Sequence, residues 1–183
     1  MNDMEKMLIH RCKKGDLTAY EILISNYEKK VFNIVYGLIG NEEDAKDIAQ
    51  ETFIKAYRKI KSFKEESSFS TWIYRITVNT SKDFLKKDKD TLSIHELENE
   101  IGSRAIDNPQ EQYERFEEGQ QIRELLENLK EDYRNVIVLR DIQGFSYEEI
   151  AKILDINLGT VKSRISRGRG QLKALLISGK YKI

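Results

Sequence analysis

The sequence SYEEIAKILDINLGTVKSRISRGRG, residues 146–170, decides the fold of the C-terminal end of the chain. Ser146 and Glu149 have the spacing of a capping box, which predicts the start of a short helix. Asp155 predicts a turn, because its short polar side chain tolerates a left-handed backbone. Asn157 then predicts the cap of a second helix. Two short helices joined by such a turn are typical of a helix-turn-helix.

The second of these helices offers a surface for duplex DNA. Val161, Ile165 and Leu172 recur at helical spacing, so we expect them to face inward. The remaining surface is basic and rich in serine, which suits a helix that enters a major groove. A basic helix that only faces solvent is the alternative on these residues alone. The polar residues concerned are Thr160, Lys162, Ser163, Arg164, Ser166, Arg167 and Arg169.

Composition predicts a globular helical chain without a membrane-spanning segment. The 183 residues are 39% hydrophobic and 34% charged and include a single proline. No apolar run approaches the roughly 20 residues that a spanning helix needs, and the first residues lack the pattern of a signal peptide. Cys12 is the only cysteine, so we expect no disulfide and favour the reducing cytoplasm.

Charge is balanced overall but unevenly distributed. Residues 1–90 carry 17 basic and 15 acidic side chains, residues 91–132 carry 4 and 12, and residues 133–183 carry 10 and 4. A basic C-terminal end, suited to a phosphate-bearing partner, therefore follows an acidic segment. Residues 91–112 lack helical periodicity and contain Pro109, so we expect a flexible acidic linker there.

Apolar residues at helical spacing divide the rest of the chain into two small domains. We expect residues 1–90 to form four helices, one of them continuous from Thr18 to Ile39. We expect residues 113–183 to form a second four-helix unit that ends in the helix-turn-helix. The expected fold class is therefore all-α, with two small helical domains joined by the linker at residues 91–112.

No pattern of catalytic or metal-binding residues occurs in the chain. His10 and His95 are the only histidines, and neither lies near a cluster of metal ligands. Phosphate-binding loops, nucleophile elbows and HExxH patterns are absent. Cys12 has basic neighbours that would favour its thiolate, but a buried, unreactive thiol is the commoner case. We therefore expect no enzymatic activity, no cofactor and no metal.

Two further surfaces are suggested by spacing. Trp72, Arg75, Asn79 and Lys82 fall on one helical face and combine an aromatic ring, an amide and two cations, which suits single-stranded nucleic acid. Trp72 can equally be a core residue. The other surface is an acidic and amide face that would usually be assigned to solvent, and it consists of Asp44, Asp47, Gln50 and Glu51.

Three segments resemble one protein family. They are DAKDIAQETFIKAYRKIKSF (residues 44–63), SSFSTWIYRITVNTSKDFLKK (residues 67–87) and NVIVLRDIQGFSYEEIAKILDINLGTVKSRISRGRGQL (residues 135–172). In this order and at this spacing they resemble the extracytoplasmic-function (ECF) group of alternative bacterial RNA polymerase sigma factors, within the sigma-70 family.

The resemblance implies a task for each domain. The first domain is expected to bind the clamp of the largest subunits of core RNA polymerase and to melt the −10 element of promoter DNA. The second domain is expected to bind the −35 element as a duplex, and the linker to thread through the polymerase. An anti-sigma factor, often membrane-bound, is a further implied partner, while the chain itself is not expected to insert into a membrane.

Matching positions imply individual site residues. The acidic and amide face resembles the surface that binds the polymerase clamp. Phe63 and Asn79 resemble two sides of a pocket for a flipped −10 base, together with the Lys64–Ser70 loop that includes Ser68. The groove-facing residues of the second domain are expected to be Lys162, Ser163, Ser166 and Arg167, and the phosphate-contacting residues Arg164 and Arg169.

Some points stay open on the sequence alone. Gly168 and Gly170 each weaken a helix by up to about 1 kcal/mol relative to alanine, so the length of the last helix is undecided. A free-standing helix-turn-helix regulator would share the DNA-binding helix, but such proteins normally dimerise, and no heptad pattern is present. An adaptor that binds only proteins would leave the basic C-terminal end unexplained.

Overall fold

A computed structural model describes residues 3–92 and 121–178, and all regular elements in these two ranges are helical. This confirms the all-α fold class and the two small domains. The elements of the first domain are α1 Asp3–Lys13, α2 Leu17–Ser25, α3 Glu28–Ile39, α4 Glu42–Lys59, a 3-10 turn Ile60–Ser62 and α5 Phe69–Leu92. Those of the second are α6 (residues 121–127), α7 Glu131–Ile137, a π turn Val138–Ile142, α8 Tyr147–Leu154 and α9 Leu158–Ile177.

The first domain has one helix more than the sequence predicted. The expected helix from Thr18 to Ile39 is wrong as a single element, because it is divided into α2 and α3 at Tyr27. The N–H of Tyr27 donates to the carbonyl three residues earlier at 2.7 Å, which closes a tighter turn. Its phenol is hydrogen-bonded to Glu5 of α1, and its ring centroid lies 5.3 Å from that of Phe69. Contacts with two other helices therefore hold Tyr27 at the break.

The remaining helices of the first domain follow the prediction more closely. Asn41 caps α4, since its side-chain oxygen accepts hydrogen bonds from two first-turn N–H groups at 2.8 and 3.1 Å. The sequence predicts a helix from Thr71 to Leu85 that ends in the charged run at residues 86–90, whereas α5 begins at Phe69 and continues to Leu92. Lysine is a good helix former, so such a run does not by itself terminate a helix.

A π turn interrupts the helix that the sequence predicts from Asp132 to Asp141. It follows α7 directly, and the N–H of Gln143, the residue after the turn, donates to the carbonyl of Val138 at 2.9 Å. π turns widen a helix locally and are frequent at functional positions. This one places the side chain of Val138 against Gly37 of α3, in the other domain.

The two domains share one hydrophobic core. Tyr74 of α5 and Phe145, just before α8, meet edge to face with ring centroids 5.3 Å apart. Both residues are less than one-tenth exposed (8% and 9%). The helix-turn-helix domain is therefore packed directly against α3 and α5 of the first domain.

Cys12 is buried in the first domain, at 1% exposure. Burial raises the pKa of its thiol, and the nearby Asp16 carboxylate acts in the same direction. The thiol is therefore kept protonated and weakly nucleophilic, in agreement with the buried, unreactive thiol that the sequence favours.

The expected linker at residues 91–112 lies outside the described residues, except for Thr91 and Leu92, which belong to α5. The sequence also predicts a helix from about residue 110 to residue 128, and the part of it before residue 121 lies outside them as well. In the two described ranges, no helix has the length and apolar character needed to cross a membrane. Within the same ranges, no group of three His, Cys, Asp or Glu side chains is arranged to hold a metal ion.

Candidate nucleic-acid and protein interfaces

The acidic face of α4, defined as Asp44, Asp47, Gln50 and Glu51, forms as the spacing predicts. Asp47, Gln50 and Glu51 are exposed, and Asp44 is half-buried. The opposite side of the helix packs into the core, so packing of α4 directs the acidic face to solvent. The buried residues on that side are Ala45, Ile48, Ala49, Thr52 and Ala56.

An exposed isoleucine continues the acidic face by one helical turn. Ile54 follows Gln50 by four residues and Glu51 by three, and 46% of its surface is exposed. An apolar side chain among polar ones can become a buried anchor when a protein docks. The sequence prediction did not include Ile54. A signal was available, because Ile54 is an apolar residue that lies outside the apolar stripe of α4, which includes Phe53 and Tyr57.

The strip of α5, defined as Trp72, Arg75, Asn79 and Lys82, lies on one side of that helix, but only Asn79 is exposed. Trp72 is partly buried against the core. Arg75 hydrogen-bonds to α8, and Lys82 pairs with Glu131 of α7 at 3.7 Å. The second domain therefore engages both cations of the strip.

Phe63, Phe69 and Trp72 form an aromatic cluster. The ring of Phe63 lies 5.1 Å from that of Trp72 and 5.7 Å from that of Phe69, between centroids. Phe63 is 3% exposed, and Nζ of Lys13 lies 5.6 Å from its ring centroid. The Phe63 ring packs within the domain, and its role in a base pocket stays a prediction.

Lys64 and Ser68 are exposed in the loop between the 3-10 turn and α5. Oγ of Ser68 accepts a hydrogen bond from the N–H of Thr71 at 3.2 Å, so Ser68 caps α5. Glu65 has a left-handed backbone (φ 63°) and accepts a hydrogen bond from Lys13 at 2.8 Å, which ties the loop to α1. Lys64 has no carboxylate partner among the described residues and extends to solvent.

The helix-turn-helix forms as predicted. Oγ of Ser146 accepts from the N–H of Glu149 at 3.2 Å, and Oε2 of Glu149 accepts from the N–H of Ser146 at 2.8 Å. Asp155 is left-handed with φ 56°. Oδ1 of Asn157 accepts from the N–H of Thr160 at 2.7 Å and from its hydroxyl at 2.9 Å. These contacts fix where α9 begins, and they commit the Thr160 side chain to the cap.

The exposed side of α9 carries most of the residues predicted to contact DNA. Val161 and Ile165 are 0% and 2% exposed on the opposite side, so packing sets the direction of the polar side chains. No carboxylate in the described ranges pairs with either basic residue of this side, which leaves both cations available for phosphates or base edges. We call this side the recognition surface, and it consists of Lys162, Ser163, Ser166 and Arg167.

Arg164 and Arg169 form ion pairs within the second domain instead. Nη2 of Arg164 lies 2.6 Å from Oδ2 of Asp132 in α7. Arg169 donates two hydrogen bonds to Asp141, at 2.6 and 3.1 Å, and this carboxylate raises the pKa of the guanidinium. Both pairs join α9 to α7 and the π turn. Contact with phosphates, as predicted for these two arginines, would require them to exchange these partners.

Both domains match known protein families. The sigma-70 region 2 family matches residues 23–91, and the sigma-70 region 4 family matches residues 119–172. The ECF RNA polymerase sigma-E factor of Haemophilus influenzae is 37% identical over 177 residues, with 92% of this chain and 93% of that protein covered. The sigma-E factor of Escherichia coli K12 is 39% identical over 173 residues, with 90% of each chain covered.

Solved structures agree with these matches. CnrH, in complex with the cytosolic domain of CnrY, aligns with a TM-score of 0.72 at 25% identity, over 96% of this chain and 99% of CnrH. The sigma factor RpoE of Bartonella quintana, in complex with the anti-sigma factor NepR, aligns with a TM-score of 0.65 at 26% identity, over 86% and 96%. The chain therefore belongs to the ECF group of RNA polymerase sigma factors, within the sigma-70 family.

Proposed function

We propose that this chain directs core RNA polymerase to promoters through three separate surfaces. The acidic face of α4 binds the polymerase clamp, the strip of α5 captures the melted −10 element, and the recognition surface of α9 binds the −35 duplex. The observation that carries this proposal is the exposure of the acidic face and the recognition surface in one chain. Acidic side chains repel DNA phosphates, so the first surface suits a protein and the second suits nucleic acid.

The recognition surface has the chemistry of a major-groove reader. Lysine and arginine hydrogen-bond to guanine edges or to phosphates, and serine hydroxyls contact either. These residues lie in the first half of α9, the part of a recognition helix that reaches base edges. Thr160 lies in the first turn of α9, where the N–H groups that the Asn157 cap does not bind favour a phosphate.

Opening of the duplex needs no catalytic residue in this proposal. A protein that binds the melted strand better than the duplex shifts the equilibrium toward melting. Unstacking a base costs a few kcal/mol, and contacts with the strip and with Lys64 would offset part of that free energy. Asn79 is exposed on α5 and supplies amide donors and acceptors for a base edge. We accordingly assign the chain no enzymatic activity.

Each segment of the chain has its own task in this proposal, and a partner protein regulates the chain. Residues 1–90 bind polymerase and the −10 element, residues 91–112 link the domains, and residues 113–183 bind the −35 element. Because the target is RNA polymerase, we place the chain in the cytoplasm. The complex of the Bartonella relative with an anti-sigma factor supports an anti-sigma partner for this chain as well.

Transcription in vitro with purified core polymerase tests the proposal. A pool of genomic promoter fragments serves as template, and transcript ends are sequenced. We expect discrete start sites only when core enzyme and chain are both present, with either one alone as control. Tight binding of promoter duplex by the chain alone, without any effect of core enzyme, would favour a free-standing helix-turn-helix regulator instead.

A further inference from the structure

Two ion pairs connect α9 to the elements behind it in the second domain. Nη2 of Arg164 lies 2.6 Å from Oδ2 of Asp132 in α7. Nη2 and Nε of Arg169 donate to the two carboxylate oxygens of Asp141, in the π turn, at 2.6 and 3.1 Å. The second pair is bidentate, an arrangement that restricts direction as well as distance.

The two arginines lie on opposite borders of the buried side of α9. The buried residues of this helix are Val161, Ile165 and Gly168. Successive residues of an α-helix are about 100° apart around its axis, so Arg164 lies about 70° from the middle of the buried side in one direction. Arg169 lies about 70° from it in the other direction. By the same spacing, the recognition surface is centred opposite to the buried side.

Ion pairs on both borders resist rotation of α9 about its own axis. A side-chain atom about 6 Å from the axis moves by about 2 Å when the helix turns by about 20°. A displacement of this size breaks hydrogen bonds, whose donor–acceptor distances lie between about 2.7 and 3.2 Å. Rotation of α9 would therefore disrupt the two ion pairs, and it would also move the recognition surface relative to the base edges.

We propose that Asp132 and Asp141 are positioning residues for recognition of the −35 element. They act through Arg164 and Arg169 and hold the recognition surface toward the major groove. The two arginines keep their carboxylate partners in the DNA complex, which differs from the sequence-based expectation that they contact phosphates. This inference rests on the proposed function of the recognition surface.

Removal of one carboxylate distinguishes positioning from phosphate contact. If Arg164 binds a phosphate in the complex, Asp132 competes with that phosphate, and Asp132→Asn should tighten DNA binding. If Asp132 positions the helix, the same substitution should weaken binding to the −35 element. Glu148→Gln removes one exposed carboxylate from α8, so it reports the effect of the charge change alone.

Holoenzyme is titrated on a promoter identified by transcription in vitro, and on the same duplex with a scrambled −35 element. Relative to Glu148→Gln, Asp132→Asn and Asp141→Asn should each lower the affinity for the promoter about two- to tenfold, as for the loss of one hydrogen bond. Affinity for the scrambled duplex should be unchanged. A role in stability alone would lower both affinities by the same factor, so the ratio of the two affinities is the decisive quantity.

The salt dependence of binding supplies a second readout. Arg164→Gln and Arg169→Gln should lower promoter affinity by the same factor as the matching aspartate substitutions. A double variant that lacks both partners of one pair should lose no more than either single variant. The slope of log affinity against log salt should equal that of wild type, whereas the loss of a phosphate contact would reduce it by about 0.9.

Three results would overturn the inference. They are tighter promoter binding by the aspartate variants than by Glu148→Gln, a reduced salt slope in the arginine variants, and equal losses on the promoter and the scrambled duplex. If wild-type holoenzyme does not distinguish the two duplexes, the proposed function of the recognition surface fails, and the inference fails with it.

Circular dichroism checks that every variant is folded, as we expect because half-exposed ion pairs add little to stability. If Arg169→Gln does not fold, Arg169→Lys takes its place, since lysine keeps the charge and loses the bidentate geometry. That variant should still lose affinity for the promoter, and wild-type affinity would refute positioning by Asp141.

Discussion

Gly168 of α9 packs so closely on α7 that an added Cβ would lie 2.9 Å from Cγ1 of Ile137. The same Cβ would lie 3.3 Å from Cβ of Tyr133. The sequence suggests only that Gly168 weakens the last helix. The structure shows that α9 continues to Ile177, and that the glycine allows close contact with the helix behind it.

Gly168→Ala should therefore lower the stability of the chain. The overlap with α7 costs about 1 to 3 kcal/mol, which exceeds the gain of up to about 1 kcal/mol in helix propensity. A Cβ added to Gly170 would meet no atom of the described residues within 4 Å, so Gly170→Ala is the matched control and should stabilise the chain. Urea unfolding followed by circular dichroism measures both changes. Stabilisation by both substitutions would show that α9 and α7 are not in close contact.

Local chemistry made the helix-turn-helix predictable from the sequence. Ser146, Asp155 and Asn157 act on backbone groups within a few residues of themselves, so their spacing is enough to predict their roles. The break at Tyr27 depends on contacts with α1 and α5, which residue spacing does not reveal. The same limit applies to Arg75, whose partners in the structure lie 77 or more residues away.

Asp47→Arg should abolish binding to core polymerase and leave the fold intact. Asp47 is exposed on the acidic face, so the substitution reverses charge without disturbing the core. Glu21→Arg makes the same charge change at an exposed position of α2, and it should bind core enzyme like wild type. Gel filtration of mixtures with core enzyme measures binding, and circular dichroism checks the fold. Normal binding by the Asp47 variant would remove the acidic face from the proposal.

Asn79→Ala should weaken promoter opening without affecting association with core polymerase. The side chain is exposed, so its loss removes possible contacts with a base and little packing. Asn26→Ala removes an exposed amide elsewhere in the first domain and should open promoters normally. Permanganate reactivity of the melted strand measures opening. Equal losses of opening and of core binding would instead indicate a misfolded first domain.

Tyr20→Phe should destabilise the first domain by about 0.5 to 1.5 kcal/mol at neutral pH, the usual net contribution of one hydrogen bond. The phenol of Tyr20 donates to the carbonyl of Phe53 at 2.6 Å and is 6% exposed. Burial raises the pKa of Tyr20 above its ordinary value.

Because the pKa of Tyr20 is raised, the difference in stability between wild type and Tyr20→Phe should depend on pH. The folded state holds the phenol proton more tightly than the unfolded state, so the stabilisation is complete below the unfolded pKa of about 10 and declines above it. The difference in stability between wild type and Tyr20→Phe should therefore shrink as pH rises past about 10. Urea midpoints of both proteins from neutral to alkaline pH measure it. A difference that stays constant would mean that the phenol of Tyr20 titrates normally.

Arg167→Ala should weaken binding to the −35 element by about 1 to 3 kcal/mol if the guanidinium contacts a base edge, with relaxed specificity at that base pair. If Arg167 contacts a phosphate, the loss should be similar for all sequences, and the salt dependence of log affinity should fall by about 1. Lys29→Ala removes one charge from an exposed position of the first domain and should change neither quantity. Titrations of holoenzyme on promoter variants at several salt concentrations separate these cases. Arg167 is exposed and has no carboxylate partner within residues 3–92 and 121–178, so its loss should not alter the fold. Unchanged affinity for the −35 element would therefore exclude Arg167 from the recognition surface.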